Sequence, residues 1–180
     1  DGVFSYSEYN NQKNNGNCYW QQAHAMGAMV DYYNRIKYSD PDQAALIRSY
    51  FKRWYDKRGN NYEGNASWRG STGFGNDFTD DTLWITIALL QMYDATKDET
   101  YYTAAKQTWD ECVRPRFAYN QYGWLPWKWT SLGANECTNG PGAIAAATLA
   151  RYAKEAGNSE EYNRYLNEAF KCFDQNIHAM

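Results

Sequence analysis

Two consecutive aspartates, Asp80 and Asp81, stand at the head of a run with almost no polar relief: Leu83, Trp84, Ile85, Ile87, Ala88, Leu89 and Leu90. Such a run is ordinarily buried, so carboxylates at its mouth need a reason. One reason is local. Asp77, Thr79 or Asp80 can cap a helix, and an acid near a helix N-terminus is favoured by about 0.3–1 kcal/mol. Capping accounts for one aspartate. A second reason accounts for both. Cleavage of a glycosidic bond uses two carboxyl groups, and the retaining form needs them about 5–5.5 Å apart. One attacks the sugar carbon while the other protonates the leaving oxygen. Neighbouring residues at a helix start reach about that spacing. Like charges so close resist double ionisation, which separates their titrations. The helix N-terminus favours a charged nucleophile, and the apolar surroundings of Trp84 keep the partner protonated.

Other chemistries find little support. The two histidines, His24 and His178, are far apart in sequence, and no HExxH, GxSxG or phosphate-cradling glycine loop is present. The cysteines Cys18, Cys112, Cys137 and Cys172 form no CxxC or close metal-type pair, so they read mainly as small buried hydrophobes. No metal or other cofactor is implied. The net charge of −3 and the lack of a Lys/Arg cluster make nucleic acid an unsuitable partner. No apolar segment has the length a bilayer requires. The opening residues DGVFSYSEYN are polar and carry no signal peptide, so either the protein is cytoplasmic or a signal has been removed. Aromatics make up 18% of the residues, with 17 Tyr and 8 Trp. Helix packing uses more than half of such rings; the remainder suit a ligand with apolar faces and polar edges, as sugars have.

The elements that must position the aspartates are helices. Asp40-Pro41-Asp42-Gln43 reads as an N-cap, a proline at the first helical position and a Gln three residues after the cap. Asp98-Glu99 and Ser159-Glu160-Glu161 mark two further starts; Pro141 suits the first turn of another, and Gly157 its stop. Six helices are expected, at about 18–37, 41–57, 80–96, 99–114, 141–156 and 160–177, with no convincing strand. They pair as hairpins that repeat: Tyr33, Tyr93 and Tyr152 are 60 and 59 residues apart, and Cys112 and Cys172 are 60 apart. The first helix of each pair is the more apolar and the second is amphipathic, which predicts an inner and an outer layer. Residues 58–79 and 115–140 are long, Gly/Asn-rich and aromatic, and both lead into inner helices. Both should gather at one end, where a site is expected.

Three segments carry a resemblance: WQQAHAMGAMVDYY (20–33), FTDDTLWITIALLQMYDATKD (78–98) and ECTNGPGAIAAATLARYAKEAG (136–157). In order and spacing the chain resembles glycoside hydrolase family 76, the endo-α-1,6-mannanases, over essentially its whole length. The aspartate pair before an apolar helix is the most specific mark, and the CxNGP segment is the second. The resemblance implies an all-α fold, an (α/α)6 toroid, and retaining hydrolysis of α-1,6-mannosidic linkages in mannan without a metal. By resemblance Asp80 is the nucleophile and Asp81 the general acid/base. Trp20, Gln21 and His24 match a helix near the cleft, and Asn139 and Gly140 match its lining. Each has a plainer reading: His24 as a hydrogen-bonded core residue, Gln21 as a helix former, Asn139 as a cap before Pro141. Trp124, Trp127 and Trp129 alternate in WLPWKWT, so one face packs while another meets sugar; Trp124 and Trp127, with Trp68 and Phe74, are taken as sugar contacts.

The family ring needs six hairpins and the sequence supplies three. Residues 1–180 therefore resemble one domain's N-terminal half, completed either by more chain or by a second copy as a homodimer. Two other functions compete: a non-catalytic glycan-binding module, and a cell-wall transglycosylase that shares the first half-reaction. A pure binder has no need of two acids. The implied partner is α-mannan or its oligosaccharides. Because mannan is an external polymer, the resemblance implies a secreted, periplasmic or surface location. Asn65-Ala66-Ser67 is a glycosylation sequon with meaning only in a eukaryotic secretory route.

Overall fold

Side chains at the helix starts set the frame. Asp40 accepts the Gln43 backbone N–H at 3.0 Å and so caps α2 (Pro41–Asp56), whose first residue is a proline with no N–H to satisfy. Asp98 caps α4 (Glu99–Thr108) through Thr100, and Asn135 caps α5 (Glu136–Glu155) through Thr138. Asn158 accepts from Glu161 at the head of α6 (Ser159–His178). The remaining helices are α1 (Tyr19–Ile36) and α3 (Thr79–Thr96). The computed structural model describes residues 4, 6–7, 13–14, 19–58, 70–129 and 131–178.

Three antiparallel hairpins result: α1 with α2, α3 with α4, α5 with α6. Helix α3 lies between α1 and α5, and these three form the inner layer of an all-α array of the α/α toroid type. Helix α3 buries most of its circumference, from Thr79 and Leu83 through Ile85, Ala88 and Leu89 to Met92, and keeps one open stripe through Asp80, Trp84, Ile87 and Gln91. Helix α6 buries one stripe, including Tyr165, Ala169 and Cys172, and leaves Phe170 and Phe173 exposed. The two sequence classes of helix therefore occupy the two layers expected of them. Glu168 ties the outer layer together: it accepts the Trp109 indole N–H at 2.8 Å and an ion pair from Arg114. At the end of the hairpins Tyr93 packs against Tyr102 and Tyr152, with ring centroids 5.2 and 5.0 Å apart.

The structure departs from the sequence reading in four places. Helix α5 begins at Glu136, ahead of the expected 141, so Pro141 lies in its second turn and withholds the N–H that would bond the Cys137 carbonyl. Helix α4 ends at Thr108, and the chain continues through a π turn (Trp109–Val113) and a 3-10 turn (Arg114–Tyr119). Short β pairings exist, between Tyr6–Ser7 and Lys13–Asn14 and as bridges Phe78 to Lys128 and Pro126 to Ala134. Cys112 and Cys172 are buried, but Cys137 is exposed. Burial pushes the Cys172 thiol well above its ordinary range. Among the described residues no helix is long and apolar enough to cross a membrane.

The α5–α6 hairpin depends on Gly142. A methyl group there would lie 2.8 Å from Cys172 Sγ and 2.9 Å from the Leu125 side chain. Overpacking of this kind costs about 1–3 kcal/mol. Gly142→Ala is expected to lower stability by that amount in urea denaturation. Gly140→Ala is the control: a methyl there meets nothing within 4 Å, and alanine's higher helix propensity should raise the midpoint.

Candidate active site

Helix α3 starts without a side-chain cap. Its cap position is Phe78, which contributes no side-chain hydrogen bond, so Asp77, Thr79 and Asp80 are all relieved of that role. Instead, the preceding turn is held by its own amide and by the aromatic loop. Asn76 Oδ1 accepts the Phe78 N–H at 2.6 Å, a local turn typical of Asn. The Thr79 N–H donates to the Trp127 carbonyl at 2.8 Å, and the Trp129 N–H donates to the Asp77 carbonyl at 2.9 Å. Asp77–Thr79 thus runs antiparallel to Trp127–Trp129, with Phe78 opposite Lys128. The two loops expected to gather at one end do meet here.

Both aspartates fall in the first turn of α3. Asp80 Oδ1 accepts the Asp81 N–H at 3.0 Å, and Oδ2 accepts the Trp127 indole N–H at 3.1 Å. The Cys137 thiol, in the first turn of α5, lies 3.6 Å from the same Oδ2. Two helix N-termini therefore converge on one carboxylate. Burial pushes the Asp80 carboxyl above its ordinary value, and the Asp81 N–H, the Trp127 indole and Cys137 partly offset that effect. The Cys137 thiol is raised as well, by burial and then by the negative charge of Asp80. Asp81 is held from the other side, where Asn76 Nδ2 donates to its Oδ2 at 3.1 Å. One turn along α3 from Asp80, the Trp84 ring lies 4.6 Å from His24, and His24 lies 5.5 Å from Trp20. This row of rings leads along the α1–α3 seam to the aspartates.

The sequence-expected residues divide accordingly. Trp127 joins Asp80 directly, and the residue is 39% exposed. Trp20 and His24 are exposed on the α1 side; His24 is an open residue that packs with two aromatic rings. Gln21 is half-buried, and its Oε1 accepts no hydrogen bond among the described residues. Gly140 sits in α5 beside open space. Three expectations need correction. Phe74 is wholly buried between Trp54 and Tyr55, a core ring that no ligand reaches. Trp124 donates to Asp174 of α6 at 3.1 Å and stacks on Tyr122, which places it over the outer layer and not at the aspartates. Asn139 is neither a cap nor a lining residue: fully buried, it accepts the Leu125 N–H at 3.0 Å and donates to the Leu125 carbonyl at 2.9 Å. It thereby fixes the aromatic loop to α5. Trp68 and the sequon at 65–67 lie outside the described residues.

Asn76, Cys137 and Arg116 are the site residues that sequence reasoning passed over. Asn76 four residues before an aspartate at a helix mouth was a readable signal for a turn-forming amide, and Cys137 opens the CxNGP segment already singled out; Arg116 offered none.

The sequence profile of Glycosyl hydrolase family 76 matches residues 2–176. The chain belongs to this family. Among curated proteins none matches it. Solved structures share its fold. An inactive variant of the α-1,6-mannanase GH76A of Salegentibacter sp. HEL1_6, with two consecutive aspartates replaced by asparagine and α-1,6-mannotriose bound, is 24% identical. The match has a TM-score of 0.65 and covers 95% of this chain and 44% of that one. A protein of Listeria innocua is 22% identical, with a TM-score of 0.62 over 87% of this chain and 39% of that one. A family 76 mannosidase of Bacteroides thetaiotaomicron is also 22% identical, with a TM-score of 0.58 over 87% and 41%. The family 76 chain thus spans about two fifths of the length of these structures.

The burial of Asp80 has a consequence for stability. Its carboxyl is raised from 3.8 in the folded protein, so ionised Asp80 opposes folding. Below about pH 3.8 the group is protonated in both folded and unfolded states, and the penalty is absent; above that value the penalty grows with pH. Asp80→Asn is expected to melt above the wild type at neutral pH, with the gap closing as pH falls toward the ordinary value. Calorimetry across pH checks this; a gap that does not change with pH contradicts it.

Proposed function

We propose that this chain is the aspartate-bearing portion of a retaining glycoside hydrolase that cleaves α-1,6-mannosidic linkages within mannan backbones. The observation that carries the reading is the pair Asp80–Asp81 in one helical turn, roofed by the exposed Trp127 ring. It is the chain's single pair of consecutive aspartates. The mannanase of Salegentibacter is inactive when two consecutive aspartates are replaced, and it holds α-1,6-mannotriose. That likeness supports the choice of linkage.

In this reading Asp80 is the nucleophile. Donors from Asp81, Trp127 and Cys137 all point at its carboxylate, and they stabilise the ionised form that must attack the anomeric carbon. Burial makes that charge poorly solvated and so more reactive. Asp81, oriented by the Asn76 amide, gives its proton to the leaving oxygen and later takes one from water. The exposed rings of Trp20 and Trp127 bind sugar C–H faces. Residues 1–180 form one domain resembling an N-terminal half, and the far wall of the cleft comes from further hairpins or from a second copy of the chain. The substrate is an external polymer, so the protein acts in a secreted, periplasmic or surface setting.

Incubation with linear α-1,6-mannan, followed by reducing-end release, is expected to show cleavage that falls by about 10²–10⁴-fold in Asp80→Asn and in Asp81→Asn. On an aryl mannoside with a good leaving group, azide should rescue the Asp81 variant to a glycosyl azide of retained α configuration, whereas any azide product of the Asp80 variant should be the inverted β form. Saturable binding of manno-oligosaccharides without cleavage by any form would favour the glycan-binding module. Transfer of mannosyl units to sugar acceptors in preference to water would favour the transglycosylase.

A further inference from the structure

We propose that Arg116 is the positioning residue of the aspartate pair, acting through the turn Asn76–Thr79; the proposal rests on the catalytic reading of Asp80 and Asp81. Arg116 comes from the 3-10 turn after α4, and its side chain is fully buried. Its guanidinium donates to Thr79 Oγ1 at 2.6 Å, to the Asn76 carbonyl at 2.5 Å and to the Asp77 carbonyl at 3.3 Å. Its other face lies 4.9 Å from the Trp129 ring. One rigid fork thus grips two carbonyls of the turn before α3, the hydroxyl of that helix's first residue and one wall of the aromatic loop.

Burying a guanidinium is costly, and an apolar side chain would fill the space. What an apolar side chain lacks is donors. The carbonyls of a turn just before a helix have no partners within the helix, and buried acceptors need them. The gripped residues are also the ones that set the carboxylates. Asn76 holds Asp81 through its amide, and Thr79 holds Trp127 through its N–H, while the Trp127 indole holds Asp80. Release of Arg116 would therefore move both carboxylates together, without removing any group that touches substrate. A misplacement of about 1 Å at a reacting centre costs about 10²-fold.

The test uses Arg116→Lys, Thr79→Val and, as a control, Thr79→Ser, which keeps the accepting hydroxyl. Three readouts are taken: melting temperature, the indole ¹H–¹⁵N resonance of Trp127 (assigned with Trp127→Phe), and kcat and KM on a manno-oligosaccharide. Thr79→Val and Arg116→Lys are expected to fold, to shift the Trp127 resonance, and to lower kcat by about 10–100-fold with KM within about twofold. Thr79→Ser should match the wild type in all three. A folded Thr79→Val with an unchanged Trp127 resonance would overturn the proposal, even if Arg116→Lys does not fold. The indole readout needs no substrate, so a wild-type chain that cleaves nothing sinks the proposed activity and leaves Arg116 to be judged by its resonance.

Discussion

The site depends on where α3 begins. Packed between α1, α4 and α5 on all but one stripe, this helix cannot rotate about its axis without exposing leucine and isoleucine. Each residue advances an α-helix by about 100° and 1.5 Å. A start displaced by one residue would swing Asp80 away from Trp127 and bring Thr79, now buried, toward the opening. The packing of the core thus determines the direction of two carboxylates at its rim. No side chain caps the helix; the Trp127 carbonyl accepts the first N–H instead. The work of a cap has passed to the aromatic loop, and that leaves both aspartates free for other use.

The same exchange ties the loop to the inner layer. Asn139 holds Leu125 from α5, and two residues later Trp127 reaches Asp80. The CxNGP segment contributes Cys137 beside Asp80 and Asn139 beneath the loop. These two side chains have different tasks, one at the carboxylate and one in the scaffold. Asp80 sits at the meeting of two helix N-termini and an indole N–H, all of which favour its charge, in surroundings dry enough to resist that charge. An ionisable group under such opposed pressures is sensitive to small changes in its neighbours, which suits the proposed nucleophile.

Much of this was legible in the sequence because local chemistry dictated it. Asp40-Pro41 and Asp98-Glu99 cap helices as their types require, and the 60-residue spacing of Cys112 and Cys172 recurs as two buried thiols on outer helices. The aspartate pair itself was readable from its position before an apolar run. What failed was decided by tertiary contact. Pro141 pointed to a helix start, but the Asn135 side chain nucleates α5 a turn and more earlier. Phe74 and Trp124 belong to an aromatic-rich sequence in which ring type does not say which ring is covered; Trp54 covers one, and Asp174 draws the other to α6. Arg116 was silent because two of its three acceptors are carbonyls, and carbonyls leave no mark in a sequence.

The central claim is that two neighbouring carboxyls act on one bond from a distance short enough for covalent attack. The most direct measurement is ¹H NMR of the first reducing ends released from linear α-1,6-mannan, read before mutarotation. The account predicts that the new ends appear in the α configuration and only later equilibrate. New ends that appear first as the β anomer would mean a water between carboxyl and sugar, and would contradict it.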